Sequence, residues 1–486
     1  MSKQLDLNFE SAETGSVLPG VAVLDEPLSS PRSHAPLVSK IKGQNVATAT
    51  VETVIERLAS AFAAVAANKG APGPDGRSVA WVREHLAELL PVLSDALLAG
   101  TYAPGDIRRV WIPKAGGGQR GLGIPNVLDR LVQEAVRQVL EPHFEPSFHP
   151  NSHGFRPGRS CHTAIRQAVE YLEDGRAWVV DIDLKDFFNR VHHQRLMARL
   201  ALHVTDKRLL ALIGKMLKAR VVLPEGVIVS NDEGVPQGGP LSPLLSNIVL
   251  DELDWHLHAR GHCFVRYADD CNIYVGSERA GLRVMASVSG FIAKRLRLEV
   301  NATKSAVARP EDRHFLGFSL RREPLTGEVE IGLSQRTRDR LAAKVRALTP
   351  RTWGGTMKSC MAQVSAYVVG WIGFFGICTA QVERTLQAVD AHIRRRLRAL
   401  QLRHWKRKPT IVRKLIGLGI SMTQAWRELY AGRRSWWALS STWMVHRALR
   451  NSHWDARGLG SLVQRYRGHP ARMVALKLTQ DAFAWG

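Results

Sequence analysis

Two pairs of aspartates stand where the chain otherwise has apolar strand residues. The stretch "FVRYADDCNIYV" places Asp269 and Asp270 side by side between two short apolar runs. In "WVVDIDL", Asp181 and Asp183 alternate with apolar residues, so both point to one face of a strand. Like charges in an apolar setting repel and lose solvation. Both stretches therefore indicate a site that needs cations.

Short carboxylates gathered from two strands are the oxygen ligands that hard divalent cations prefer. Two Mg²⁺ ions about 3.5–4 Å apart can activate an attacking hydroxyl and stabilise a leaving pyrophosphate. An exposed turn is the alternative interpretation of Asp269 and Asp270. The apolar flanks and the second aspartate-bearing strand favour the metal site, but the spacing does not choose between Asp181 and Asp183.

The pattern around these aspartates predicts an α+β body followed by an all-α module. Residues 1–45 are rich in Ser, Pro, Gly and Ala and predict a flexible extension. Strand and helix patterns mix over 46–325, and helical spacing dominates 326–468. The tail 469–486 matches no recognisable pattern.

Charge is concentrated at one end of the 486-residue chain. The net charge is +23, and Ile331 to Gly486 holds 28 Lys plus Arg against 6 Asp plus Glu, so 28 − 6 = +22. The same third carries nine of the thirteen tryptophans. A basic, tryptophan-rich third indicates a nucleic-acid partner.

Other sequence features narrow the class of protein. The five cysteines show no Cys-x-x-Cys spacing, which fits a reducing cytoplasm rather than a disulfide framework. The longest apolar stretch, 366–378, is shorter than the ~18 residues of a membrane span. We expect a protein without membrane association.

The residues 267–270 form a Tyr-x-Asp-Asp signature, and seven further blocks accompany it in order. They include "NKGAPGPDG", "IPKAGGGQRGLGIPNVLDRLVQEA", "VVDIDLKDFFNRVHH", "GVPQGGPLSPLLSNIVLDELD" and "FLGFSL". From about residue 65 to about 467 the chain resembles the reverse transcriptase/maturase proteins encoded by bacterial group II introns. The resemblance implies a right-hand polymerase fold, with fingers and palm over 46–325 and an α-helical thumb and maturase domain over 326–468.

The resemblance assigns the carboxylates. The family's Asp-Leu-Lys-x-Phe-Phe pattern selects Asp183 over Asp181, which is then structural. Asp183, Asp269 and Asp270 are implied as the catalytic residues and as the ligands of two Mg²⁺ ions.

The resemblance also implies a site for the incoming dNTP. Phe187 or Phe188 would lie under the sugar and exclude a 2′-OH. Lys114 and Arg120 flank a Gly-rich turn and match residues that clamp the triphosphate. The full predicted dNTP set is Lys114, Arg120, Phe187, Phe188, Gln237, Gly238 and Lys304. "FLGFSL" resembles the primer-grip region.

RNA contacts are implied in two places. Arg156 and Arg159, in "HGFRPGRS", match a block that supports template and fingers. In the basic third, positive residues recur at helical spacing with few acids between them, which suits a phosphate track. The predicted set there is Arg336, Arg340, Lys344, Arg394, Arg395, Arg398 and Lys406. Trp436, Trp437 and Trp443 are candidates for stacking on unpaired bases.

The implied function is an RNA-directed DNA polymerase of a mobile group II intron that also binds its intron RNA and assists splicing and retrohoming. Its expected partners are intron RNA as template, a DNA primer or target, and dNTPs. We expect it in the bacterial cytoplasm, on the nucleoid when bound to target DNA. The oligomeric state stays open.

Two alternatives remain, and one further expectation follows. In the first alternative, the chain is a splicing cofactor with an idle polymerase. In the second, it is a reverse transcriptase recruited to phage defence or diversity generation. No paired Cys-x-x-Cys follows the maturase block. We therefore expect a type without the HNH endonuclease of many relatives, which would use other 3′ ends as primers.

Overall fold

A computed structural model describes residues 48–113, 118–380, 382–432 and 435–470. The described chain forms two compact units that divide between Arg309 and Pro310. Within these ranges no helix is long and apolar enough to cross a membrane. The predicted mixture of sheets and helices in the first part of the chain is confirmed, and all but one of the strand pairings described there are antiparallel.

Helices are the most abundant regular structure in the first unit. Thr50 caps the first helix by accepting a hydrogen bond from the Thr53 N–H, and the two residues form a reciprocal capping box. Apolar residues then recur along one face, which packs against the fourth helix. The helices are α1 (Val51–Ala67), α2 (Val79–Glu84), α3 (Leu86–Leu98), α4 (Val127–Phe144), α5 (Cys161–Glu173), α6 (His193–Leu200), α7 (Lys207–Leu217), α8 (Ser242–Ala259) and α9 (Glu278–Phe291).

Two four-stranded sheets complete the first unit. The first has the order β2-β1-β4-β5, and the second has the order β6-β7-β3-β8. All pairings in the second sheet are antiparallel. The strands are β1 (Ile107–Pro113), β2 (Gln119–Ile124), β3 (Trp178–Asp183), β4 (Val221–Val222), β5 (Ile228–Val229), β6 (Cys263–Tyr267), β7 (Asp270–Val275) and β8 (Ala306–Ala308).

The core of the first unit lies between the second sheet and its helices. Val180 and Ile182 of β3, with Ile273 of β7, join the same buried cluster as residues of α1, α4, α8 and α9. Alternation in β3 therefore buries one face and leaves Asp181 and Asp183 on the other, as the sequence predicted.

The second unit begins with a β-hairpin and continues as helices. Strands β9 (Phe318–Arg322) and β10 (Val329–Leu333) pair antiparallel. Ser334 then caps the next helix by accepting from the Thr337 N–H. The helices are α10 (Gln335–Leu348), α11 (Met357–Phe375), α12 (Glu383–Trp405), α13 (Lys408–Ile416), α14 (Met422–Tyr430), α15 (Trp436–Leu439), α16 (Trp443–Ala448), α17 (Asn451–Asp455) and α18 (Leu462–Arg467).

The hairpin corrects the predicted domain boundary between 325 and 326. The Ile331 carbonyl accepts from the Thr379 and Ala380 N–H groups, and Phe318 stacks on Phe374 with ring centroids 5.7 Å apart. The "FLGFSL" segment therefore packs with the helices that follow it. The second unit is not all-α from residue 326, because β10 lies inside that range.

Candidate active site and nucleic-acid surface

The two aspartate pairs meet at one end of the second sheet. In the register of β3 and β7, Asp183 lies directly opposite Asp270, and Asp181 lies opposite Asn272. Residues that face each other across antiparallel strands share one face of the sheet. Asp269 sits in the tight turn between β6 and β7, beside Ala268, whose φ of 58° is left-handed.

A buried arginine side chain holds this turn in place. The Arg266 guanidinium, from the middle of β6, donates to both carboxylate oxygens of Asp254 at 2.6 and 2.7 Å. It also donates to Asn247 Oδ1, to Ser152 Oγ and, at 2.9 Å, to the carbonyl of Ala268. Arg266 and Asp254 are both almost wholly buried. The ion pair thus connects α8 to the backbone that carries Asp269.

A glycine also packs against the turn. A Cβ at Gly154 would lie 2.3 Å from the Ala268 nitrogen, so the two backbones touch. The Gly154 carbonyl accepts from Asn247 Nδ2 at 2.9 Å. The sequence reasoning missed Arg266 and Gly154. The available signal was an arginine inside an apolar strand, because a buried charge requires a partner.

The electrostatics of the site fit a cation. Burial raises the pKa of Asp270 well above its usual value, and repulsion from Asp269, Asp181 and Asp183 adds to the shift. Lys304 Nζ lies 3.5 Å from Asp183 Oδ1. Carboxylate oxygens suit Mg²⁺ by charge and by donor type. Among the described residues, however, no three His, Cys, Asp or Glu side chains are gathered closely enough to hold one ion. The structure thus supports the donor types and not a formed metal site.

The two phenylalanines differ in what they face. Both lie in a short 3₁₀ turn after β3, and their rings meet edge to face at 5.3 Å. Both are buried in the core cluster, with 1% of Phe187 and 7% of Phe188 exposed. Phe188 also lines a cavity of about 180 Å³ with Asn189, Arg109 of β1 and Pro236. Of the two candidates for the sugar wall, only Phe188 lines this cavity.

Other predicted dNTP residues come together beside the same cavity. Arg120 Nε of β2 donates to Gln237 Oε1 at 2.7 Å. Gly238 has φ +124°, and a Cβ there would lie 2.3 Å from the Gly123 carbonyl oxygen. Only a glycine allows that approach of the two backbones. The predicted residue Lys114 lies outside the described residues.

The predicted RNA contacts in the first unit separate into two kinds. Arg156 makes an ion pair with Glu145 at 2.8 Å, and its side chain is only 5% exposed. It also donates to the carbonyls of His149 and Ser152. These internal bonds contradict the prediction that Arg156 touches RNA phosphate. Arg159 is half-buried and donates to the Pro150 carbonyl at 2.6 Å.

The basic helices of the second unit divide in the same way. Arg336, Arg340 and Lys344 lie four residues apart on α10 and share one face, with Lys344 exposed. Arg398 of α12 is 4% exposed and donates to the Leu449 carbonyl. Burial, followed by repulsion from a neighbouring arginine, lowers the pKa of Arg398 to about 10. Arg398 is therefore a packing residue, which contradicts its predicted RNA contact.

The remaining basic and aromatic candidates lie on or near the surface of this unit. Arg394 is half-buried, and Lys406 is exposed where α12 ends. Arg395 lies over the ring of Trp437 at 4.1 Å, so that ring is already covered by a cation. Trp443 is exposed and has Arg447 over its ring at 5.2 Å.

Two family models match the chain. Residues 112–320 match the reverse transcriptase (RNA-dependent DNA polymerase) model, and residues 338–416 match the group II intron maturase-specific domain. Protein YkfC of Escherichia coli K12 is 36% identical over 319 residues, which cover 57% of this chain and 83% of YkfC. The chain belongs to the group II intron reverse transcriptase/maturase family. The resemblance seen in the sequence is thereby confirmed.

Further relatives share parts of the chain. The group II intron-encoded protein LtrA of Lactococcus lactis is 40% identical over 191 residues, or 38% of this chain and 31% of LtrA. A 91 kDa protein in the cob intron of Schizosaccharomyces pombe is 44% identical over 153 residues, or 32% of this chain and 18% of that protein. The chain thus spans less than a third of these two intron proteins.

Proposed function

We propose that the chain is an RNA-directed DNA polymerase that also binds its parent intron RNA and assists its splicing and retrohoming. One observation carries the catalytic part. Asp183 stands opposite Asp270 beside the Tyr-Ala-Asp-Asp turn, within the region that matches reverse transcriptases. The maturase match and the +22 charge of the C-terminal third support the RNA-binding part.

Asp183, Asp269 and Asp270 would hold two Mg²⁺ ions, which when bound supply Lewis-acid stabilisation of the attacking and leaving oxygens. Around them, Arg266 fixes the backbone of the turn and keeps Asp269 oriented. Arg120 and Gln237 line the approach of the incoming nucleotide. Phe188 presents the side chain that would exclude a 2′-OH, so dNTPs would be favoured over rNTPs.

The partners in this proposal are intron RNA as template, a DNA primer or target, and dNTPs. The setting is the bacterial cytoplasm, with the protein on nucleoid DNA during integration. The second unit would bind intron RNA through its basic helices, while the first unit extends the primer. The two activities would then depend on different residues.

Primer extension tests the proposal. Wild type should extend oligo(dT) on poly(rA) with dTTP and Mg²⁺, and the Asp269→Ala, Asp270→Ala double variant should not. RNA binding, measured in parallel, should be equal for both proteins, since the basic third is intact. If neither protein extends the primer but both bind RNA, the chain is a splicing cofactor with an idle polymerase. If the double variant loses both activities, the division between two modules is wrong.

A further inference from the structure

Helix α14 presents an apolar stripe to solvent. Met422, Trp426 and Tyr430 are spaced four residues apart and therefore share one face of the helix. Their exposed fractions are 64%, 39% and 46%. The neighbouring face packs inward through Ala425 and Leu429. The helix is thus anchored along one face, and its aromatic residues lie exposed beside that face.

The two rings of the stripe form a platform with a cation above it. Trp426 and Tyr430 are stacked, with ring centroids 4.8 Å apart and an interplanar angle of 26°. Lys408 Nζ, from the neighbouring helix α13, lies 4.6 Å from the Tyr430 ring centroid. The platform therefore combines π faces with a positive charge.

The charge of the segment that contains the platform limits what it can bind. From residue 406 to residue 470 the sequence has 13 Lys plus Arg and 2 Asp plus Glu, so 13 − 2 = +11. A second copy of this surface would be repelled, whereas a polyanion would be attracted. Lys408 lies within the maturase match, and both rings lie just beyond its end at residue 416. The platform is therefore continuous with the segment that the family comparison links to intron RNA.

We propose that Lys408, Trp426 and Tyr430 form a binding site for unpaired nucleotides of single-stranded RNA. Trp426 and Tyr430 cover one face of each other, and Lys408 lies over the Tyr430 ring. A splayed base therefore stacks on the outer face of Trp426, Tyr430 supports that ring, and Lys408 contacts a phosphate beside it. Paired bases are already stacked in a duplex, so the site discriminates against double-stranded RNA. This inference rests on the proposed function only in that the second unit binds RNA.

The test uses the full-length chain and two RNAs of equal length, an unstructured strand and a self-paired hairpin. Trp426→Ala should weaken binding of the unstructured strand about tenfold, which is the size of one lost base–aromatic stack. Tyr430→Ala removes the ring that supports Trp426 and should weaken the same binding by a smaller factor. Binding of the hairpin should change little. With 5-iodouridine in the unstructured strand, photo-crosslinks should map to α14 in wild type and disappear in the double variant.

Matched variants separate stacking from other roles. Trp426→Phe keeps a ring and should retain most of the affinity. Met422→Ala removes the most exposed apolar side chain of the stripe without removing a π face, so RNA binding should hold. Lys408→Ala should reduce the salt dependence of binding of the unstructured strand by about one phosphate contact.

Each other outcome overturns the inference. Equal binding by wild type and both ring variants would show that the platform does not contact RNA. Equal losses on both RNAs, with a lower unfolding midpoint, would assign the rings a structural role. If Met422→Ala and the ring variants instead abolish self-association in sedimentation, the stripe joins two copies. If wild type binds neither RNA, the proposed function fails, which is distinct from failure of the platform alone.

Discussion

Charged residues are buried beside the Asp269 turn of the first unit, whereas many of those on the basic helices of the second unit are exposed to solvent. At the turn, Arg266 and Asp254 are nearly inaccessible to solvent and each has the other as its partner. The C-terminal third contains 28 basic residues and only 6 acidic ones, and residues such as Lys344 and Lys406 are exposed. Water screens exposed charges but does not reach the buried pair.

This difference predicts two patterns of response to mutation. A buried pair fixes one geometry, so the loss of one partner leaves an uncompensated charge and should be severe. An exposed basic surface acts by summed attraction, so each residue should contribute a small, salt-dependent share. Catalysis should therefore fail abruptly when the turn is disturbed, and RNA binding should decline by degrees.

The largest effect should come from Arg266→Met. Asp254 would remain buried without its cation, which costs about 3–5 kcal/mol of unfolding free energy. Thermal and denaturant unfolding should report this loss, and primer extension should fall with it because the Ala268 carbonyl loses its donor. Adding Asp254→Leu should restore part of the stability, since both charges are then gone.

The matched control is Arg467→Met in the second unit. Arg467 pairs with Glu383 at 2.8 Å, but its side chain is 61% exposed. The unfolding midpoint should barely change, because exposed pairs contribute little. Equal losses in Arg266→Met and Arg467→Met would remove the contrast between the two units.

The next largest effect concerns sugar selection. Phe188→Ala should raise incorporation of rNTPs relative to dNTPs by about ten- to a hundredfold, because Phe188 lines the cavity and Phe187 does not. Phe187→Ala should cost about 3–5 kcal/mol of stability and leave sugar selection unchanged, since Phe187 is a core residue. Single-nucleotide insertion kinetics distinguish the two. Relaxed selection in Phe187→Ala alone would reverse the assignment.

A smaller effect is expected on the basic face of α10. Replacing Arg336, Arg340 and Lys344 by alanine should weaken RNA binding about tenfold at moderate salt and flatten its dependence on salt concentration. Arg398→Met should instead lower the unfolding midpoint, because its donor bond to the Leu449 carbonyl is internal. RNA titrations at several salt concentrations provide the measurement. An unchanged salt slope in the triple variant would remove α10 from the RNA surface.

The sequence predicted those parts of the site that depend on local pattern. Alternation in β3 placed Asp183 on the face opposite Val180 and Ile182, and the apolar runs around Asp269 predicted the β6–β7 hairpin. Both follow from strand periodicity. The choice of Asp183 over Asp181 as the proposed catalytic residue came from the family pattern, because periodicity treats the two alike.

The sequence failed where a side chain's role depends on distant partners. Arg156 lies in a basic block like a phosphate ligand, yet Glu145 and two carbonyls occupy its donors. Arg398 sits in a run of arginines, and only the packing of α12 shows that its side chain turns inward. Charge patterning counts cations but cannot tell which of them fold against the protein.

The smallest effect concerns Asp251, a buried carboxylate away from the Asp269 turn, and tests whether its ionisation lowers the stability of the folded state. Burial, followed by repulsion from Asp254, raises the pKa of Asp251 to about 7. The folded state therefore favours the protonated form, so the stability that Asp251 contributes is present near pH 4 and is lost as the pH rises towards 7. Asp251→Asn cannot ionise. The unfolding midpoint of this variant, measured relative to that of wild type, should therefore rise by a few degrees as the pH is raised from 4 to 7. Parallel pH profiles would show that Arg199, 3.3 Å away, already compensates the charged form.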